Sequence, residues 1–251
     1  MLLSLNIEDN GGIEPVEPVQ GGNSTKGEDQ DEKEKLSIVL ADDHTLVRQG
    51  IETLLSGNDS LEIVGQAGDG YEALELIEEN EPDIAIIDIS MPRLNGLEAA
   101  RKMGEKGLDT DVIFLSMYDD EGYIRRAIKT GASGYLLKED AIDELEEAIE
   151  SVRNGYHYMS PPILTSLVEM TERGLKAIEP DVLDRLTSRE REILQLIAEG
   201  NSNKEIAEII SRSVETVRTH RANLMEKLDV HSAGEIREFA LREGIIKDEE
   251  K

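Results

Sequence analysis

The chain has 251 residues, 27 basic against 55 acidic, for a formal charge of −28, and such a length suits two domains of about 100–150 residues. It contains no cysteine and no tryptophan, which excludes disulfides, thiolate zinc sites and a cysteine nucleophile. The acidity is uneven: residues 1–183 carry a net charge of −25 and residues 184–247 only −1, so contact with a polyanion fits the latter stretch alone, and only through a local basic cluster.

In chain order, residues 1–35 hold Gly11-Gly12, Pro15, Pro18, Gly21-Gly22 and the run Glu28-Asp29-Gln30-Asp31-Glu32, a composition that predicts a disordered acidic extension. Met1 to Ile7 lacks the basic flank and length of a signal peptide, and the apolar runs are too short to span a bilayer, so a cytoplasmic protein with no membrane partner is expected. From Leu36 the pattern alternates. Leu36 to Leu40, Leu61 to Ala67, Ile84 to Asp88, Val112 to Ser116 and Gly134 to Leu137 read as strands. Between them, one helical face each is formed by Leu46, Val47, Ile51, Leu54 and Leu55, by Ala73, Leu74 and Ile77, by Ile124, Ala127 and Ile128, and by Ile142, Leu145 and Ile149. Strands alternating with helices predict a doubly wound α/β domain, a five-stranded parallel sheet covered on both faces.

Asn154-Gly155 closes the last of these helices and Pro161-Pro162 breaks the chain soon after, with Ile163, Leu164, Leu167 and Val168 at helical spacing beyond. From Leu186 the elements are helical. Thr187 with Glu190 and Ser202 with Glu205 fit capping boxes, while Gly200, Ser211 to Ser213 and Asp229 to Ser232 punctuate the run. The division is therefore an extension (1–35), an α/β domain (36–156), a linker (157–183), an all-α four-helix domain (184–247) and a tail (248–251).

Ligands of open parallel sheets sit beyond the carboxyl ends of the strands, which is where Asp42, Asp43 and Asp88 fall. Three converging carboxylates raise one another's proton affinity unless a cation intervenes, and all-oxygen ligation suits Mg²⁺. For Asp42-Asp43 alone, a helix N-cap is an equal alternative. The stretch Gly68-Asp69-Gly70-Tyr71-Glu72-Ala73 is a loose dinucleotide fingerprint, but the acidic first βα turn would repel a pyrophosphate.

Asp42-Asp43, Ile87-Asp88-Ile89-Ser90-Met91-Pro92 with Asn95-Gly96, Ser116, and Tyr135-Leu136-Leu137-Lys138 together resemble the receiver domain of two-component response regulators. The resemblance implies a sheet of order 2-1-3-4-5 and Asp88 as phospho-acceptor. It also implies Mg²⁺ on Asp43, Asp88 and the backbone carbonyl of Ser90, with Asp42 acting through a water. Lys138 and Ser116 end strands where an ammonium and a hydroxyl can meet phosphoryl oxygens. Tyr135 would be a switch residue that turns inward on activation. A phosphatase with an aspartate nucleophile would carry a second aspartate two positions on, where Ser90 stands, so at most slow autodephosphorylation is expected rather than enzyme turnover.

Leu186-Thr187-Ser188-Arg189-Glu190-Arg191-Glu192, Asn203-Lys204-Glu205-Ile206-Ala207 and Thr216-Val217-Arg218-Thr219-His220 look like the LuxR-type helix-turn-helix, and the two resemblances together point to the NarL/FixJ class. Ser213 to Leu228 is then the recognition helix, with Val214, Val217, Leu224 and Leu228 inward. Arg218 and Thr219 are expected on base edges and Ala222 on a thymine methyl, with Lys204, Thr216, His220, Arg221 and Lys227 on the backbone of double-stranded DNA. His44, His157, His220 and His231 show no zinc spacing.

The expected cycle is phosphoryl transfer from a sensor histidine kinase to Asp88, followed by remodelling of the face of helix four, strand five and helix five. There Arg125, Arg126 and Lys129 oppose Asp140, Asp143 and Glu144, a face that can pair with its twin. Release of the helical domain and homodimerisation through a helix at 233–245 would follow. The alternatives are a phosphorylation-independent DNA-binding regulator whose receiver is a dimerisation scaffold and, less favoured, a hydrolase.

Overall fold

The computed structural model describes residues 35–172 and 182–247; the expected acidic extension, part of the linker and the tail lie outside them. Six strands form one parallel sheet in the order β2-β1-β3-β4-β5-β6: β1 (Leu36–Ala41), β2 (Leu61–Ala67), β3 (Ile84–Asp88), β4 (Asp111–Ser116), β5 (Gly134–Leu137) and β6 (Tyr158–Met159). The first five match the expected strands and order. The three central strands are apolar runs because helices cover both their faces.

The helices are α1 (Thr45–Leu55), α2 (Gly70–Asn80), α3 (Gly96–Lys106), α4 (Glu121–Lys129) and α5 (Ala141–Arg153). Two cores result from the alternation of side chains along the strands. Val39, Ile87, Phe114 and Tyr135 face one side with Ile77, Met103 and Ile124, while Ile38, Ile86, Ile113 and Leu136 face the other with Leu55, Leu145 and Ile149. Three residues assigned to apolar helix faces are corrected: Leu46 is 82% exposed, Ile142 72% and Ile128 43%. Helical periodicity defines a stripe, and these residues sit at its margins, beyond the width that the sheet covers.

Residues 157–172 are more ordered than the Pro-Pro break suggests. Gly155 turns the chain with φ of 78°, β6 pairs with the edge of β5 (Gly134 with Tyr158, Tyr135 with Met159), and α6 (Pro161–Glu172) buries Ile163 in the first core. The free edge of β5 is thus covered by the chain itself.

After a 3-10 turn at Val182–Arg185, four helices follow: α7 (Ser188–Ala198), α8 (Asn203–Ile209), α9 (Val214–Leu228) and α10 (Ala233–Arg242). Both capping boxes form, Thr187 with Glu190 and Ser202 with Glu205. Gly200, Ser211 and Asp229 have positive φ and end the helices where expected. Ile193, Leu196, Ile206, Val217, Leu224 and Ile236 form the centre of this helical core; Val214 and Leu228, expected inward, are only half-buried.

Candidate functional site: the acidic pocket and the helical reading face

Parallel β1 and β3 end side by side, which brings Asp42, Asp43 and Asp88 to one rim. Gly96 sits so close to the Asp88 backbone that an added Cβ would lie 2.2 Å from its carbonyl oxygen, so only glycine lets the start of α3 brace the pocket. The N-cap alternative for the first two aspartates is not what the structure shows. His44 caps α1 without a side-chain bond, and Asp42 Oδ1 instead accepts from the His44 amide at 2.8 Å.

Asp42 and Asp88 are buried, and Lys138 Nζ lies 2.6 Å from Asp42 Oδ2 and 2.8 Å from Asp88 Oδ2. Burial pushes the Asp88 carboxyl above the ordinary carboxylate range; the Lys138 ammonium opposes this and the Asp42 charge adds to it. Burial acts to lower Lys138, but Asp88 and Asp42 outweigh it and hold the ammonium above its usual value. The Ser90 amide donates to Asp88 Oδ1 at 3.1 Å. Ligand atoms of Asp42, Asp43, His44 and Asp88 lie within 4.8 Å of one another. Three hard carboxylate oxygens fit Mg²⁺, and the half-exposed rim leaves room for its waters.

Two participants carry no local sequence signal. His44 Nδ1 is 2.9 Å from Asp43 and 3.2 Å from Asp42. Lys247, beyond α10, places Nζ 3.3 Å from Asp43 Oδ1 and 3.4 Å from Asp88 Oδ2.

Ser116 is buried at the end of β4, its hydroxyl oxygen accepting from the Tyr118 amide at 3.0 Å. Tyr135, expected to turn inward on activation, is already inward, 1% exposed, and donates to the Tyr118 carbonyl at 2.7 Å. The expected pairing face on α4, β5 and α5 is engaged within the chain. Arg126 donates to the Glu243 carbonyl at 2.8 Å, Lys129 pairs with Asp184 at 2.7 Å, and Glu144 accepts from Ser160 beside β6.

The helical module rests on the loop that follows Asp88. Gln195, 1% exposed, accepts from the Asn95 amide at 2.9 Å and donates to the Met91 carbonyl at 2.9 Å. Glu199 accepts from the Arg93 amide at 2.9 Å, and Arg191 pairs with Glu98 at 2.5 Å. The Gly68–Ala73 stretch makes an ordinary helix start: the Asp69 side chain accepts from the Tyr71 and Glu72 amides.

On α9 the docked receiver leaves Arg218, Thr219, Ala222 and Asn223 exposed, with Thr216, His220 and Arg221 half-exposed beside them. Arg218 lies 3.2 Å from Glu215, Arg221 donates to Asn203 at 3.0 Å, and Lys204 is exposed on α8. Lys227, expected on the DNA backbone, has its ammonium 2.6 Å from the buried Glu190 carboxylate. Among the described residues no helix is long and apolar enough to cross a membrane.

A family model of the response regulator receiver domain matches residues 38–150, and one of bacterial regulatory proteins of the luxR family matches residues 184–240. The chain is 37% identical over 232 residues to the transcriptional regulatory protein DegU of Brevibacillus brevis, covering 87% of this chain and 98% of that one. It is 40% identical over 215 residues to the oxygen regulatory protein NreC of Staphylococcus carnosus (strain TM300), covering 84% and 99%. A crystal structure of a LuxR-family two-component response regulator from Aurantimonas sp. SI85-9A1 is similar with a TM-score of 0.52 at 33% identity, covering 55% of this chain and 98% of that one.

Proposed function

The chain belongs to the two-component response regulators that join a receiver domain to a LuxR-type DNA-binding domain, and on that premise we propose that phosphorylation of Asp88 controls its binding to promoter DNA. The observation that carries the reading is the setting of Asp88: a buried carboxylate at a strand end, beside Lys138 and two further aspartates. In the transfer, an Asp88 oxygen bonds to phosphorus as the P–N bond of a sensor kinase's phosphohistidine breaks, the bonding pair staying on the imidazole nitrogen. Asp43, Asp88 and the Ser90 carbonyl would hold Mg²⁺, with Asp42 acting through a water, and the ion would neutralise charge on the transferring group. Lys138 and Ser116 then receive phosphoryl oxygens, and Tyr135 reports the change through its contact with the Tyr118 carbonyl. With Ser90 in place of a second acid, the acyl phosphate decays slowly.

The functional division is a receiver over 36–156, a linker over 157–183 and a DNA-binding domain over 184–247. Gln195, Glu199 and the segment after α10 tie the last to the phosphorylation loop, so added charge at Asp88 acts directly on the docking contacts. The freed module pairs through α10 and sets two α9 helices on a two-part site, where Arg218, Thr219 and Ala222 read bases and Lys204, Thr216, His220 and Arg221 hold the backbone. Contact with both a kinase and promoter DNA places the protein in the cytoplasm. A radiolabelled phosphoryl group should pass to wild type and not to Asp88→Asn; equal labelling of both would remove the reading. A second reading, DNA binding independent of phosphorylation, draws support from one observation, the open outer face of α9 in the docked arrangement.

A further inference from the structure

We propose that Lys247 is a tethered counter-cation that occupies the acidic pocket in the docked arrangement, and that a divalent ion must displace it, so that metal loading itself loosens the DNA-binding module. The inference rests on the reading of Asp43 and Asp88 as the metal-binding carboxylates.

The two lysines at the pocket share Asp88 Oδ2 and divide the other two carboxylates between them. Lys138 bridges Asp42 and Asp88, whereas Lys247 bridges Asp43 and Asp88, the pair assigned to direct cation ligation. An ammonium and a divalent ion on the same two oxygens compete for the donors and repel each other. Lys138 belongs to β5's end and stays with the receiver. Lys247 arrives from the other module, 159 residues away in sequence from Asp88.

Its position is fixed by the segment that carries it. Ile245 is buried in the helical core, the Glu243 carbonyl accepts from Arg126 and the Gly244 carbonyl from Tyr123 at 2.7 Å. Gly244 has φ of 65°, and an added Cβ would lie 1.8 Å from the Tyr123 hydroxyl, so this seat on α4 fits glycine alone. Displacing Lys247 removes an ion-pair contact between the two modules, one that adds to the seats of the Glu243 and Gly244 carbonyls on α4. By linkage, whatever factor docking costs in cation affinity, the cation costs in docking.

The test is calorimetric titration of the full chain with magnesium chloride, without phosphodonor, alongside hydrogen exchange of the Arg93 and Asn95 amides, which Glu199 and Gln195 hold across the contact between the modules. Lys247→Ala should bind magnesium on the order of fivefold more tightly than wild type, from the loss of a half-exposed ion pair to two carboxylates. Lys247→Glu should bind more tightly still, and Lys247→Arg should resemble wild type. Saturating magnesium should speed exchange of these two amides in wild type. Equal magnesium affinity in wild type, Lys247→Ala and Lys247→Glu, no magnesium binding by any of them, or exchange unaffected by magnesium would each overturn the proposal. Labelling of Asp88 by acetyl phosphate, followed in the same preparations, separates the two ideas. Label with an unchanged magnesium series overturns the tether and leaves the function; a shifted series without label supports the tether and overturns the function.

Discussion

At the acidic pocket, Asp42, Asp88 and Lys138 are withdrawn from water and paired at 2.6 and 2.8 Å, whereas on the outer face of α9 Arg218 is 63% exposed and its partner Glu215 77%. The contrast teaches where each site keeps its energy. The pocket's charges depend on one another, so changing one destabilises the fold; the α9 face stands ready for a polyanion and contributes little to folding.

The sharpest way to break this contrast is Lys138→Met. It leaves Asp42 and Asp88 buried without their shared cation and should cost about 3 kcal/mol in urea unfolding, part of which added magnesium recovers. A loss under about 0.5 kcal/mol would place the pocket in the same class as a surface pair. Next comes the contact between the modules. Gln195→Ala strands the Asn95 amide and the Met91 carbonyl and should weaken docking by about 2 kcal/mol, read as faster hydrogen exchange at Asn95 with the helical core still protected.

Arg218→Ala should leave the melting transition within about 0.5 kcal/mol of wild type while weakening specific DNA binding about tenfold and relaxing the preference at the base pair it contacts. A drop in stability instead would undo the distinction. The smallest effect concerns Glu190. Burial works to raise its carboxyl, but Lys227 and the Thr187 amide and hydroxyl outweigh burial and hold it below the ordinary range. A depressed carboxyl stabilises the fold above its unfolded value, about pH 4.3, and that contribution fades as pH falls through the lower folded value. Acid unfolding of Glu190→Gln should therefore lack this component, a difference of about 1 kcal/mol at neutral pH that shrinks below pH 4.

The same contrast explains what was legible in the amino-acid sequence. The strands were, because β3 and β4 are buried on both faces and read as unbroken apolar runs. Asp42, Asp43, Asp88 and Lys138 were, because each ends a strand, so parallel topology gathers them on one rim. Both capping boxes were local enough to read directly. Strand β6 was not: its two residues carry no alternation, and only the open edge of β5 recruits them. Leu46 and Ile142 fit a helical stripe that the sheet is too narrow to cover. Gln195, Glu199 and Lys247 lie 100, 106 and 159 residues from the groups they meet at Asn95, Arg93 and Asp88, and no local pattern announces such pairings. Lys227 reads as a DNA-facing base by helical position, and its pairing with Glu190, 37 residues away, needs the fold to be seen.

Affinity of the full chain for a genomic operator, measured with and without acetyl phosphate and magnesium in wild type and Asp88→Asn, tests the coupling of the two sites most directly. Wild type should bind at least tenfold more tightly with the phosphodonor and Asp88→Asn should not respond, about 1.4 kcal/mol of coupling. Identical affinities under all four conditions would contradict control through Asp88 and leave the receiver a scaffold.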